Sequence, residues 1–290
     1  MRRTSLALLL LLAPAIAAAQ NRVEQRQSAA PDGIVEIDNQ MGTIKVIGWA
    51  KNEIQVVGTL GRRAHGLDLS VSGRKAEISV DTDNPHGTRS DLEIHVPAGS
   101  RVEIDSFAAE IHVEGVNGEL YAETVNGSIY LAGGFHEVEA STVNGSIEVN
   151  GNTKRAQVES VNGAVTVKGA SGEIEASTVN GQVTVTGAAF DRASLETVSG
   201  GVRFEGDLRP KAVLDAQSVS GEVELLFPAS VSADFGITSF SGDVENELGP
   251  PARKTSKWTS QVELEFTSGK GGATVNVETL SGSIRLLKRK

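Results

Sequence analysis

The sequence predicts an all-β, single-domain β-solenoid of about 18–21-residue coils, and three observations predict it. The first is a tetrapeptide that recurs: Thr124-Val125-Asn126-Gly127, Thr142-Val143-Asn144-Gly145, Ser160-Val161-Asn162-Gly163, Thr178-Val179-Asn180-Gly181 and Thr197-Val198-Ser199-Gly200, every 18 residues and then after 19. A fixed short period means stacked units. The second is a further glycine set, Gly133, Gly151, Gly169 and Gly187, which keeps the 18-residue period between members of the first. Each unit therefore has two turns and two short strands.

The third observation is alternation. With the turn glycine as zero, positions plus two and plus four are apolar: Ile129 and Leu131, Ile147 and Val149, Val165 and Val167, Val183 and Val185, Val202 and Phe204, Val223 and Leu225. Residues between and before them, such as Ser128, Tyr130, Glu148 and Thr166, are mostly polar, which is the period of a half-buried strand. On the other side, minus seven and minus five carry a smaller apolar set, from Leu120 and Ala122 to Leu214 and Ala216, and minus three is Thr or Ser in each of these units. Asn and Gly suit tight turns because they tolerate positive φ. A lone Asn-Gly would predict a hairpin, and a long meander or sandwich is the rival architecture. Equivalent residues repeating at one period instead predict Asn over Asn and Val over Val, about 4.8 Å apart.

Taken in order, residues 1–19 read as a signal peptide, with Arg2 and Arg3 before the apolar run Leu6 to Leu12 and small residues Ala17-Ala18-Ala19 ahead of Gln20. The exported chain is expected to be 20–290. No second apolar run is long enough to span a bilayer. The absence of cysteine excludes disulfides and a lipoprotein anchor. The formal charge is −10, or −12 once Arg2 and Arg3 are removed, which disfavours nucleic acid and anionic lipid as partners.

Asp32 to Trp49 follows the coil rule about Gly42, with Val35 and Ile37 before it and Ile44 and Val46 after. Residues 53–97 break the period into alternating segments, predicted to be antiparallel strands that cap an otherwise open edge. Regular repeats run over 101–245; the first has Ala109 at the zero position, and Val116-Asn117-Gly118 falls at the opposite turn. Later spacings lengthen to 21 through Gly221 and Gly242, and the extra residues are expected in loops such as Gly206 to Lys211. An insert at 247–272 holds Pro250-Pro251, the basic run Arg253 to Lys257, Trp258 and the strand Val262 to Phe266. The last coil, 273–287, carries Val275, Val277, Thr279, Gly282, Ile284 and Leu286, and Lys288-Arg289-Lys290 charges the end.

The opening Ile44-Lys45-Val46-Ile47-Gly48-Trp49, the segment Leu92 to Pro97, the recurrent Asn/Ser-Gly-x-Ile/Val turns and the closing Leu280-Ser281-Gly282-Ser283-Ile284 resemble the bacterial DUF4097 family, also called the putative adhesin family. The resemblance covers nearly the whole exported chain. It implies a β-helix-like solenoid in a protein of the cell envelope or surface, and it supplies no catalytic residues.

Candidate chemistry is sparse. Glu123, Glu139, Glu159, Glu175, Glu196 and Asp215 occupy outward positions, one per coil, whereas a two-carboxylate glycosidase needs a close pair with split pKa values. A solvated acidic surface is the simpler reading. The turns lack the calcium-binding nonapeptide and EF-hand patterns; Asp81, Asp83, Asp91 and His86 form a weak loop alternative. The five histidines have no zinc spacing, and no Gly-x-Ser-x-Gly elbow occurs. Asn126, Asn144, Asn162 and Asn180, with Gly127, Gly145, Gly163, Gly181, Ser199 and Gly200, are expected to form a structural turn ladder. Tyr121, Tyr130 and Trp258 are the candidate surface anchors. The expected function is a non-enzymatic secreted or envelope scaffold that needs no cofactor and binds a glycan or envelope protein. The alternatives are a carbohydrate-active β-helix enzyme and an envelope-stress sensor.

Overall fold

The computed structural model describes residues 21–84, 87–254 and 260–289; the expected signal segment, His86 and Trp258 lie outside them. Among the described residues there are 25 strands and no helix, so none is long and apolar enough to cross a membrane. The protein is a β-solenoid. Each coil contributes one strand to each of two walls, here called face A and face B, and their inner rows meet in one continuous core.

Stacking is parallel and in register at the repeat length. On face A, Thr124 lies beside Thr142, Thr142 beside Ser160 and Ser160 beside Thr178; on face B, Ile129 lies beside Ile147 and Ile147 beside Val165. The β-branched content of these rows suits a pleated wall buried on one side. Ile129, Ile147, Val165 and Val183 are essentially inaccessible, as are Leu120, Val138, Ala156 and Ile174. The core changes along the axis. Its first two thirds is mostly aliphatic, whereas Phe190, Phe204, Phe227, Phe235 and Phe266 form a continuous inner column, with ring centroids 4.7–5.8 Å apart.

The corners explain two invariants of the repeat. The minus-three hydroxyl points inward and donates to the carbonyl at the zero position of the preceding coil: Thr142 to Gly127 at 3.0 Å, Ser160 to Gly145 at 2.9 Å, Thr178 to Gly163 at 2.9 Å. A buried carbonyl left unpaired there would be costly. The expectation that the Asn-Gly glycines need positive φ is corrected: Gly127, Gly145, Gly163 and Gly181 are not among the positive-φ residues. They are glycine because coils touch there, and a Cβ on Gly163 would overlap the carbonyl oxygen of Gly145. Positive φ occurs at the opposite corner, at 133° for Gly151 and 79° for Gly169, and at the zero position in Gly42, at 124°.

Sequence order and spatial order part company at both ends. The coil Ile34–Asp38 and Met41–Trp49 stacks directly on Arg101–Ser106 and Ala108–Glu114. The intervening strands fold back beyond it. Lys75–Thr82 and Ser90–Pro97 add in parallel, and Ala64–Ser72, Glu53–Leu60 and Asn21–Ser28 close the end antiparallel. At the other end the last coil in sequence, Ala273–Ser281 and Ile284–Lys288, slots between Leu208–Ser220 and Val223–Phe227 on one side and Ala233–Ser239 and Val244–Asn246 on the other. Val262–Ser268 of the insert then caps face A antiparallel. The three extra residues near Lys211 form a bulge inside the strand Leu208–Ser220, not the expected loop: Phe190 pairs with Leu208, but Arg192 pairs with Val213. Lys211 takes a φ of 68° there.

Candidate interaction face

Face A has three outward rows near its turn margin, at minus six, minus four and minus two. Alternation dictates them, since minus seven, minus five and minus three face the core. The minus-two row is apolar on nine successive coils: Phe107, Val125, Val143, Val161, Val179, Val198, Val219, Leu280 and Phe240. Eight of the nine are exposed, from 38% at Phe107 to 55% at Leu280, while Val125 is half-buried. The coil insertion is what makes the row continuous, because Leu280 fills the step between Val219 and Phe240.

The minus-four row beside it reads Glu123, Ser141, Glu159, Ser177, Glu196, Gln217 and Glu278 in spatial order, an acid on every second coil. Glu139, Glu175 and Asp215 at minus six fill the alternate coils. The two rows make a diagonal lattice of carboxylates. Glu159 accepts from Gln157 at 3.2 Å and Asp215 from Asn276 at 2.8 Å, and none of these seven acids has a basic partner among the described residues. Between the minus-four and minus-two rows runs a shallow groove of about 640 Å³ that extends from Glu123 and Val125 to Glu278 and Leu280. A second concavity of about 740 Å³ continues face A toward the N-terminal end, lined by Glu36, Asp38, Asp105, Tyr121 and Glu139 among others.

Basic groups gather at the far margin of face A. Arg101 pairs with Glu103 at 2.6 Å and Glu119 at 3.2 Å, and Arg155 with Glu137 at 3.7 Å and Glu173 at 3.3 Å. Arg101 also lies over the Tyr121 ring at 4.4 Å. Burial pushes the Tyr121 phenol above its usual range, and the Arg101 charge opposes this. Tyr130 stands on face B, its ring 6.0 Å from that of His112. The structure thus places Tyr121 and Tyr130 on opposite walls, and Trp258 lies outside the described residues. The asparagines form a chain of amides at the corner: Asn144 donates to Asn126 at 2.9 Å, Asn162 to Asn144 at 3.0 Å and Asn180 to Asn162 at 2.9 Å. This ladder flanks the apolar row on the side away from the acids.

The remaining titratable groups are dispersed. His65 pairs with Asp83 at 2.9 Å, and that hydrogen bond raises its pKa. His95 packs on Trp49 with ring centroids 4.8 Å apart. Among the described residues no group of three His, Asp or Glu is placed to hold a metal ion. As a member of the turn tetrapeptide, the minus-two valine does not stand out in the sequence as a surface residue. Its signal lies in the alternation, since a residue one after the inward minus-seven, minus-five and minus-three series must face out.

By sequence, the chain matches the family model described as Toastrack DUF4097 over residues 33–287. No curated protein matches it. Solved structures similar to it include a putative adhesin from Parabacteroides distasonis at 8% identity and TM-score 0.44, covering 92% of this chain and 98% of that one. Another is a putative adhesin from Bacteroides fragilis, at 11% identity and TM-score 0.41, covering 91% and 96%. A putative cell adhesion protein from Clostridium sporogenes shares 10% identity at TM-score 0.25, covering 92% and 100%.

Proposed function

The chain belongs to the Toastrack DUF4097 family, and on that premise we propose that it is an exported, non-enzymatic solenoid that docks a macromolecular partner of the cell envelope along face A. The observation that carries this reading is the apolar row from Val143 to Phe240, exposed beside the carboxylate lattice. Soluble proteins scatter exposed apolar residues singly, and a contiguous exposed stripe rimmed by polar groups marks an interaction surface. The acids support binding over hydrolysis. The seven acids beside the apolar row are spread one per coil along a wall, while the adjacent acids Asp38, Asp105 and Glu123 line the second concavity, so sugar release is the readout that would assign them glycoside cleavage. Export accords with the Arg2-Arg3, Leu6 to Leu12 and Ala17-Ala18-Ala19 pattern.

The test applies the purified protein to immobilised envelope polysaccharides and envelope proteins, scoring retention and soluble sugar release together. Retention without release, weakened when Val161, Val179 and Val198 are changed to Ser, is the expected result. Sugar release that persists through further purification would overturn the non-enzymatic reading.

A further inference from the structure

We propose that the groove of face A takes a cationic amphipathic α-helix lying along the solenoid axis. This deepens the docking reading above and rests on it. Two observations select the occupant: the chemistry of the two rows and their spacing.

The chemistry is an apolar row, from Val125 to Leu280, beside a row whose only charges are carboxylates, Glu123, Glu159, Glu196 and Glu278, with no basic partner among the described residues. A complementary surface carries an apolar stripe flanked by ammonium or guanidinium groups. That excludes polyanions and makes a second copy of this chain a poor fit, because it would bring another acidic face and a net charge of −10 against the first.

The spacing selects a helix over an extended segment. Successive coils are about 4.8 Å apart, so apolar side chains recur at that interval and the minus-four acids at about 9.6 Å. An α-helix presents a new turn of its apolar stripe every ~5.4 Å, and residues seven apart on one face stand ~10.5 Å apart. About seven helical turns span the eight steps of the row, close enough to keep an apolar stripe along the valines, and one cation per two turns meets each acid. The residual drift is about 0.9 Å per acid, which long Lys side chains absorb. An extended strand fits less well: its same-face residues recur every ~6.7 Å, and residues about 10 Å apart point to opposite faces. The nine-coil row, about 38 Å long, matches a helix of roughly 25 residues.

The probe is a fluorescein-labelled 25-residue peptide of Leu and Lys with helical amphipathic patterning, alongside a scramble of the same composition that destroys the pattern. Binding is followed by anisotropy over a range of salt. The wild-type protein is expected to bind the patterned peptide at least about tenfold more tightly than the scramble. The combined Val161→Ser, Val179→Ser and Val198→Ser variant loses about tenfold or more, with circular dichroism unchanged and melting only modestly lowered, because these side chains lie outside the core and are 39–47% exposed. Glu159→Gln with Glu196→Gln retains some binding but flattens its salt dependence. Equal binding of peptide and scramble, no binding of either, or indifference to the valine changes would overturn the proposal. If the inference fails while retention on envelope material still depends on the valines, the docking reading survives. Sugar release would remove that reading instead.

Discussion

The two walls of the solenoid are built from the same coils, often from residues a few positions apart, yet the turn margin of face A treats charge differently from face B. On face B, acids stack against bases across the rungs. Glu148 meets Lys168 at 2.8 Å, Glu93 meets Lys45 at 3.3 Å, and Arg285 bridges Glu222, Glu224 and Glu245 at 2.9–3.4 Å, while Arg203 also pairs with Glu224. On face A, Glu123, Glu139, Glu159, Glu175, Glu196, Asp215 and Glu278 stack without such partners beside an open apolar row. Ser, Gln and Asn between these acids keep them from facing one another directly, leaving only diagonal repulsion, and an exposed apolar stripe invites association. Face B pairs many of its acids, whereas the turn margin of face A leaves its acids without bases beside an exposed apolar row, which fits the proposed docking surface.

The largest expected effect removes what the walls share. Gly163→Ala puts a methyl into the carbonyl of Gly145, where backbone and not a movable side chain blocks it. The coils must separate at that corner, at a cost on the order of 3 kcal/mol or more. Both walls should fail together: chemical denaturation should show a large loss of stability, and peptide binding on face A should fall with it. A variant that melts like the wild type would mean that the corner contact does not hold the stack.

A smaller effect separates the corner's surface from its interior. Asn162 donates to Asn144 and accepts from Asn180, both on the exposed side of the turn. Asn162→Val removes both bonds and should cost about 1 kcal/mol. Calorimetry should show melting lowered by a few degrees with face A binding intact. Unchanged melting would count against the amide ladder as a source of stability.

Much of this architecture is legible in the sequence because a solenoid repeats its physics. Glycines at one period mark the corners, and Val165 and Val167 declare the inner row by alternation. The order of coils is not legible. The coil of Val275, Val277, Ile284 and Leu286 obeys the same rule as every other, so no local signal says that it inserts beside Leu214 and Val223 and not after Val244. That insertion decides whether the apolar row is continuous. Val161 and Val165 are likewise indistinguishable by residue type; one is 39% exposed and the other fully buried, and only counting from the turn separates them. The same limit applies to Tyr121 and Tyr130, nine residues apart in sequence yet on opposite walls.

The smallest expected effect has opposite signs on the two walls. Glu148 on face B is held below its usual pKa chiefly by the hydrogen bond from Lys168, then by Asn150. A depressed carboxylate contributes stability above its ordinary pKa, and that contribution fades as pH falls through the lowered value. Its side chain is 40% exposed, so Glu148→Gln should cost no more than about 0.5 kcal/mol near neutral pH. The deficit should close in acid, as the wild type also loses the charge. Glu159 on face A stands beside Ser141 and Ser177, accepts from Gln157, and has only Glu139 and Glu175 as charged neighbours, diagonally on the adjoining coils. Glu159→Gln should therefore raise the melting temperature slightly at low ionic strength, with the gain vanishing in about 1 M salt as screening shortens the reach of each charge. Melting both variants across salt and pH decides the matter. If both substitutions lower stability alike, the carboxylates of face A have found local compensation, and the electrostatic case for a cationic partner weakens.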